Sequence, residues 1–443
     1  MKKLVSTTIA AVALCATPAF AADMPAKTPF LKAPPAPVWN WTGFYVGAYA
    51  GVGINRSHGF DPTGSSPGEI DYLGTGITGG LTGGYNWQLD SHWVVGLEGD
   101  IGYLGLNHDS FQYNDGAVTV NSKTSWIGTM RGRFGYSNGP TLTYITGGGA
   151  WVHVDDTISV PGSGTFDSAK TKLGYAVGSG VETRLGGNWT FKSESLYVDV
   201  GAGDTLASGA PFFYVLEADK HRYLVQRFGV NYLFGGTPSA PLPQEHWQGF
   251  YVGAVAGTAA TQTRVSAVGT SSTGELGDTG TGFTGGIIAG YNWQFAPQWV
   301  AGVEGDFSWL GLKHTVADYN DNGSIYELNT RWLATARARL GYSTGPALLY
   351  VTGGAAWVNY QETWVDQTFA TATSTKTSSG YAAGGGIETA FTLFGLLGPG
   401  LFARSEYLYV NVGNGDTLGA AFPVVANHQF HLFRGAVVYH IGG

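Results

Sequence analysis

The sequence predicts an all-β membrane protein made of two tandem eight-stranded antiparallel up-and-down barrels, with one sixteen-stranded barrel as the alternative. Three observations predict it: a domain-sized duplication, hydrophobicity alternating with a period of two, and connections that alternate between long and short.

The duplication is legible in short motifs. Trp41-Thr42-Gly43-Phe44-Tyr45-Val46-Gly47-Ala48 returns as Trp247-Gln248-Gly249-Phe250-Tyr251-Val252-Gly253-Ala254, an offset of 206 residues (247 against 41). Gly84-Tyr85-Asn86-Trp87-Gln88 returns as Gly290-Tyr291-Asn292-Trp293-Gln294, and Arg131-x-Arg133-x-Gly135-Tyr136 as Arg337-x-Arg339-x-Gly341-Tyr342. A period this long belongs to a duplicated domain, not to a solenoid repeat or a propeller blade.

Within each copy the pattern alternates. Trp93, Val95, Leu97 and Ile101 oppose Gly96, Glu98, Asp100 and Gly102. One face is apolar and the other small or charged, the mark of a strand between two environments. The same split recurs in the first copy over about 43–53, 77–88, 92–103, 124–136, 141–154, 170–184, 188–200 and 221–234. Long connections (near 54–76, 104–123, 155–169 and 201–220) alternate with short ones (89–91, 137–140 and 185–187). Long loops on one side and tight turns on the other describe a transmembrane barrel with its turns in the periplasm.

Composition agrees. Glycine is 70 of 443 residues, about twice the usual share, and charged residues are 12%, about half of it. Aromatics at 14% argue against disorder. Residues 1–21 read as a cleaved signal peptide: basic Lys2-Lys3, an apolar run, then Ala19-Phe20-Ala21. Leu14 before Cys15 argues against lipidation, and the exported chain then carries no cysteine. No stretch is long and apolar enough for a membrane helix, and no basic cluster marks a nucleic-acid partner. The localisation predicted is the outer membrane, with its lipid and lipopolysaccharide as surroundings and the barrel assembly machinery as partner during insertion.

Tryptophans fall at strand ends. Trp41, Trp87, Trp93 and Trp189, with Trp247, Trp293 and Trp299, are expected to form the periplasm-side aromatic girdle. Charges fall on the small-residue faces. Glu98, Asp100, Glu182 and Glu194 stand with Arg131, Arg133, Lys192 and Arg227; Glu304, Asp306, Glu388 and Glu406 stand with Arg337, Arg339, Arg404 and Arg434. Four acids balanced by four bases suit a small barrel whose lumen is filled by side chains, because buried charges must be paired. An ion-selective constriction would show one sign in excess. Glycines on the same faces are expected to make room for the arginines.

These motifs, with the leader Lys32-Ala33-Pro34-Pro35 and Gly229-Val230-Asn231-Tyr232, resemble the alphaproteobacterial outer-membrane immunogenic proteins, a family of small OmpA-like barrels in the porin group. The resemblance covers nearly the whole mature chain, twice. It implies an eight-stranded barrel per copy, surface exposure, and roles in envelope integrity and host contact through the long loops; some relatives are described as porins or haemin binders. The family's terminal strand fits Arg227 to Phe234. At the second terminus Gly435-Ala436-Val437-Val438-Tyr439 departs from that pattern by one residue.

The join Gly235–His246 is Pro-rich, hence extended and semi-rigid. The expected organisation is therefore a signal peptide (1–21), a leader (22–38), a first barrel (39–234), a periplasmic linker (235–246) and a second barrel (247–443). The function expected is structural and surface-interacting, without catalysis or cofactor. The alternatives are a porin for small solutes and a haem or metal binder built on His108 and His314, which follow Leu-Gly-Leu in each copy. A Ser/His or Asp/His group, as a barrel hydrolase needs, does not recur in both copies.

Overall fold

Strands that alternate between small or charged and apolar residues can close only around a filled interior, with their apolar faces outward. The computed structural model has this form. It describes residues 39–61, 68–107, 111–113, 118–160, 164–205, 217–235, 242–267, 275–318, 324–365, 370–391, 400–414 and 424–441. Residues 1–38, where the sequence predicts a signal peptide and a leader, lie outside the described residues.

The first copy contains β1 (Gly43–Asp61), β2 (Gly68–Gln88), β3 (Trp93–Asn107), β4 (Phe111–Tyr113), β5 (Val118–Asn138), β6 (Thr141–Val160), β7 (Gly164–Gly186), β8 (Trp189–Thr205) and β9 (Glu217–Leu233). The second contains β10 (Gly249–Ala267), β11 (Glu275–Ala296), β12 (Trp299–Asp318), β13 (Ser324–Ser343), β14 (Ala347–Val365), β15 (Thr371–Ala390), β16 (Leu401–Asn414) and β17 (Val424–Ile441). All neighbours are antiparallel. The first barrel closes where β9 returns to β1, with Tyr45 opposite Leu233, and where β3 meets β5, with Trp93 opposite Tyr136. The second closes between β10 and β17, with Phe250 opposite Ile441. These closures give two eight-stranded barrels rather than one of sixteen strands. β4 is a short flap paired only with β5.

The strands are longer than alternation alone suggested. β1 runs on to Asp61 and β6 to Val160. A strand of 20 residues, such as β6, rises about 50 Å at the usual tilt, roughly twice the apolar band of an outer membrane. The upper halves therefore stand clear of lipid. There polar alternation replaces apolar alternation and reads as loop in sequence, although Thr157 and Asp167, inside the expected loop 155–169, are ladder partners.

Irregularities recur at matching places. β3 and β12 each carry a bulge, between Tyr103 and Leu106 and between Trp309 and Leu312. A Cβ on Gly105 would lie 2.1 Å from the Tyr103 hydroxyl, and one on Gly311 would lie 2.4 Å from the Trp309 ring. Each aromatic folds over the glycine two residues on, so only glycine fits.

The terminal strands also agree more closely than their motifs do. Counted from the inward arginines, the offset is 207 (434 against 227). Val437, Tyr439 and Ile441 then take the outward places of Val230, Tyr232 and Phe234. Only the glycine changes face: Gly229 points inward, whereas Gly435 points outward beside inward Ala436.

Candidate functional site

Inward positions on β3, β5, β7, β8 and β9 converge on the lower lumen of the first barrel. All eight predicted charges meet there, none more than 8% exposed. Arg131 is the hub. Its Nη2 donates to Glu98 Oε1 at 2.5 Å and Asp100 Oδ2 at 2.9 Å, and its Nη1 to Glu194 Oε2 at 3.2 Å. Arg227 closes a second route, from Nη1 to Asp100 Oδ1 at 2.9 Å and from Nη2 to Glu194 Oε1 at 2.5 Å. Arg133 holds Glu182 at 2.7 Å, and Lys192 holds Glu98 at 2.8 Å.

The second lumen repeats the hub. Arg337 reaches Glu304 at 2.5 Å, Asp306 at 3.0 Å and Glu406 at 3.2 Å. Arg434 reaches Asp306 at 2.9 Å and also Glu406. Arg339 and Arg404 both hold Glu388, at 3.2 and 2.8 Å, and Arg404 also holds Glu304 at 2.5 Å. Each carboxylate thus accepts from at least one cation. This is what makes burial of charge tolerable, since removing one partner leaves an uncompensated ion.

Sequence reasoning missed the tyrosines that complete these networks. Tyr45 donates to Glu98 and Tyr144 to Glu194, each at 2.8 Å. Tyr251 and Tyr350 do the same for Glu304 and Glu406, at 2.7 and 2.8 Å. The guanidinium of Arg133 also stacks on the Tyr144 ring at 4.0 Å, and that of Arg339 on Tyr350 at 4.1 Å. The inner-face glycines serve these rings more than the arginines, contrary to expectation. A Cβ on Gly84 would sit 2.5 Å from the Tyr45 hydroxyl, and one on Gly290 2.4 Å from that of Tyr251. The available signal was the inward frame that Tyr45 shares with Gly47 in the first motif.

Two tryptophans are not where the sequence put them. Trp41 and Trp247 are buried, not on the outer girdle. Each indole Nε1 donates 3.0 Å to a hydroxyl at the foot of a strand, Ser137 and Ser343 respectively. They pack with Val94, Leu142 and Tyr144 in one barrel, and with Val300, Leu348 and Phe402 in the other. Both precede the first strand of their barrel, so the chain enters across the mouth and the ring caps the lumen. Trp87, Trp189, Trp293 and Trp299 are exposed on the outside. Trp93 lies partly exposed there too, stacked on Phe134 at 4.9 Å.

Above the charges the lumen turns apolar. Leu104, Val152, Val198 and Val225 fill the first barrel, and Leu310, Val358, Val410 and Leu432 the second. Higher still, His221 faces Asp156 at 4.0 Å and His428 faces Glu362 at 3.5 Å, a pairing at matching positions. Among the described residues no group of three or more His, Cys, Asp or Glu side chains is arranged to hold a metal ion. His108 and the side chain of His314 lie outside the described residues.

Comparison with known proteins places these features in context. The model of the outer membrane protein beta-barrel domain family matches residues 7–212 and again 231–432. The 31 kDa outer-membrane immunogenic protein of Brucella melitensis is 34% identical over 246 residues; all of it lies on 53% of this chain. The 22 kDa outer membrane protein of Rhizobium leguminosarum is 35% identical over 175 residues, 71% of its length and 39% of this chain. Among solved structures, neisserial surface protein A is 15% identical, with 98% of it aligned on 44% of this chain at a TM-score of 0.24. A TodX monoaromatic hydrocarbon channel mutant is 12% identical, with 91% of it on 90% of this chain at a TM-score of 0.29. TM-scores this low add nothing to the description of the fold.

Proposed function

The chain belongs to the outer membrane protein beta-barrel domain family, and from that premise we propose that it is a non-conducting structural and surface-interaction protein of the outer membrane. The supporting observation is the stacked closure of both lumens: a buried tryptophan at the mouth, a balanced ion-pair network above it, then an apolar layer. A barrel of eight strands is just wide enough to be filled in this way.

On this reading the sixteen lumen charges are structural cross-links between strands. They are not a selectivity ring, which would carry one sign, nor a catalytic pair. The units are residues 39–234 and 247–443, joined by 235–246, with 1–21 removed on export and 22–38 as a leader. The barrel assembly machinery inserts both units, lipopolysaccharide and lipid surround them, and the loop side contacts an extracellular or host partner.

Single-channel recording of the refolded chain in planar bilayers tests the proposal. Silence is expected. Large, stable conductance steps would overturn it and make the charge network a constriction.

A further inference from the structure

Lipid-facing walls of a barrel should be apolar all round, and most of these are: Leu81, Ile101, Met130 and Ile145 stand exposed on the first barrel, and Ile287, Val303 and Val351 on the second. One stripe on each barrel breaks the rule. Ser193 lies between inward Lys192 and Glu194, so it points outward, yet it is fully buried. Gln226, just before inward Arg227, is outward and fully buried as well. Ile54, Ala260 and Phe433 are likewise outward and buried, and they pack in one cluster with Leu224 and Tyr407.

What covers these residues is the other barrel. The Ser193 and Ser405 hydroxyls lie 3.0 Å apart. Gln226 Nε2 donates to Ser193 Oγ at 3.0 Å, and Ser195 donates to Gln226 Oε1. Higher up, Arg56 Nη1 donates to Thr281 at 3.2 Å.

The partners share a pattern. Ser193 and Ser405 are equivalent, each between the third base and the fourth acid of its barrel. Ile54 and Ala260 are equivalent by the 206-residue offset, and β2 approaches its counterpart β11. Like meets like in a vertical series that climbs from β8/β16 through β1/β10 to β2/β11. Tilted strands crossing one vertical two-fold axis produce this series, and equivalent residues meeting is the mark of an isologous contact.

We propose that the two barrels form a fixed side-by-side pair in the membrane, joined along a pseudo-two-fold seam whose recognition element is the Ser193–Ser405–Gln226 hydrogen-bond cluster. Lipid cannot satisfy such groups, so polar side chains within the membrane act as glue between protein surfaces. The occupant of each polar stripe is therefore the other barrel of the same chain. The pairing sets the upper strand ends of the two barrels side by side, so a partner with two copies of an epitope would meet them at a fixed spacing.

Cysteine cross-linking in native outer membranes tests the seam. The full chain carries Ser193→Cys and Ser405→Cys and is oxidised with copper phenanthroline, which takes two electrons and two protons from the thiol pair. Chains of monomer mobility on a non-reducing gel should contain tryptic segments 193–220 and 405–434 joined by a disulfide. A control pair on the far walls, Met130→Cys with Ala336→Cys, should yield no such link. The heat-induced gel shift reports whether the barrels are folded. If the serine pair does not fold, Ile54→Cys with Ala260→Cys probes the same seam. A disulfide found only in chain dimers would assign the stripe to a second copy, and absence of any link in folded chains would show the barrels to be independent. Either result overturns the proposal.

Discussion

The two lumens solve one electrostatic problem with different residues, and the clearest contrast surrounds Glu182 and Glu388. In the first barrel Glu182 accepts from Arg133, Thr190 and Asn231, while nearby Lys192 bonds Glu98. In the second, Arg404 replaces the lysine and reaches both Glu304 and Glu388. Its planar fork can bridge two carboxylates, whereas an ammonium is a point charge. With that fork present the neutral donors are gone: Phe402 and Val438 stand where Thr190 and Asn231 stood. His440 Nε2, at the position of Leu233, supplies the remaining contact at 2.6 Å. The requirement held in common is that each carboxylate be satisfied, not that any one residue satisfy it.

The largest effect should come from removing what the lumens share. Arg131→Leu strips a cation from Glu98, Asp100 and Glu194, and Arg337→Leu strips one from Glu304, Asp306 and Glu406. Each should cost about 3–5 kcal/mol, the usual penalty for leaving a buried ion unpaired. Peptide-resolved hydrogen exchange in micelles reads the barrels separately. Loss of protection in the mutated barrel, of similar size in the two variants, is expected. A marked inequality would mean that the hubs are not equivalent.

A smaller effect should expose the difference between them. Arg404→Lys removes two charge-assisted bonds to Glu388 and should cost the second barrel about 2 kcal/mol. Val438→Asn alone buries an amide and also destabilises. Together they restore part of the first barrel's arrangement, so the double variant should be more stable than the sum of the two losses by about 1 kcal/mol. Strict additivity in the exchange data would break the claim that neutral donors and the arginine fork substitute for each other.

The mouths offer a third contrast. Trp41 bonds Ser137 and lies under the Arg184 guanidinium at 4.8 Å, whereas Trp247 bonds Ser343 and packs on Phe402 and His440. Replacing either with Phe keeps the plug and loses the hydrogen bond, about 1 kcal/mol. Trp41→Phe should cost more, because indole is the better partner for a guanidinium. Equal losses in urea titrations would remove Arg184 from the account.

How much of this the sequence disclosed follows from where each signal lies. Period-two alternation assigns faces along a strand, so the inward side of the sixteen charges was legible. It does not choose between two barrels and one of sixteen strands, a choice for which the sequence offered only the Pro-rich join. Above the membrane that contrast fades into Thr, Ser and Asp, and the upper end of β6, from Asp155 to Val160, reads as loop. Trp41 and Trp247 were misplaced for a related reason. Both precede the first strand, where no alternation assigns a face, and an indole suits a girdle as well as a plug. The outward polar stripe passed unnoticed because single Ser and Gln residues among apolar neighbours carry no weight until their burial is known.

The smallest contrast lies in the turn between the second and third strands of each barrel. In the first, Asp90 Oδ1 accepts the backbone N–H groups of Trp93 at 2.8 Å and His92 at 2.7 Å. In the second, Ala296 and Pro297 occupy that turn and no carboxylate is available. The hydrogen bond from Trp93, then that from His92, holds the Asp90 carboxyl below its ordinary range. A depressed carboxyl stabilises its turn at any pH above the unfolded-state value, and that contribution is lost as pH falls through the lower folded-state value. Acidification should therefore loosen the β2–β3 turn and leave the β11–β12 turn unchanged. An NMR titration of the Asp90 carboxyl carbon, followed together with the His92 and Trp93 amides, decides the matter. An ordinary carboxylate midpoint, or amide shifts that do not track it, would mean that Asp90 does not hold the turn.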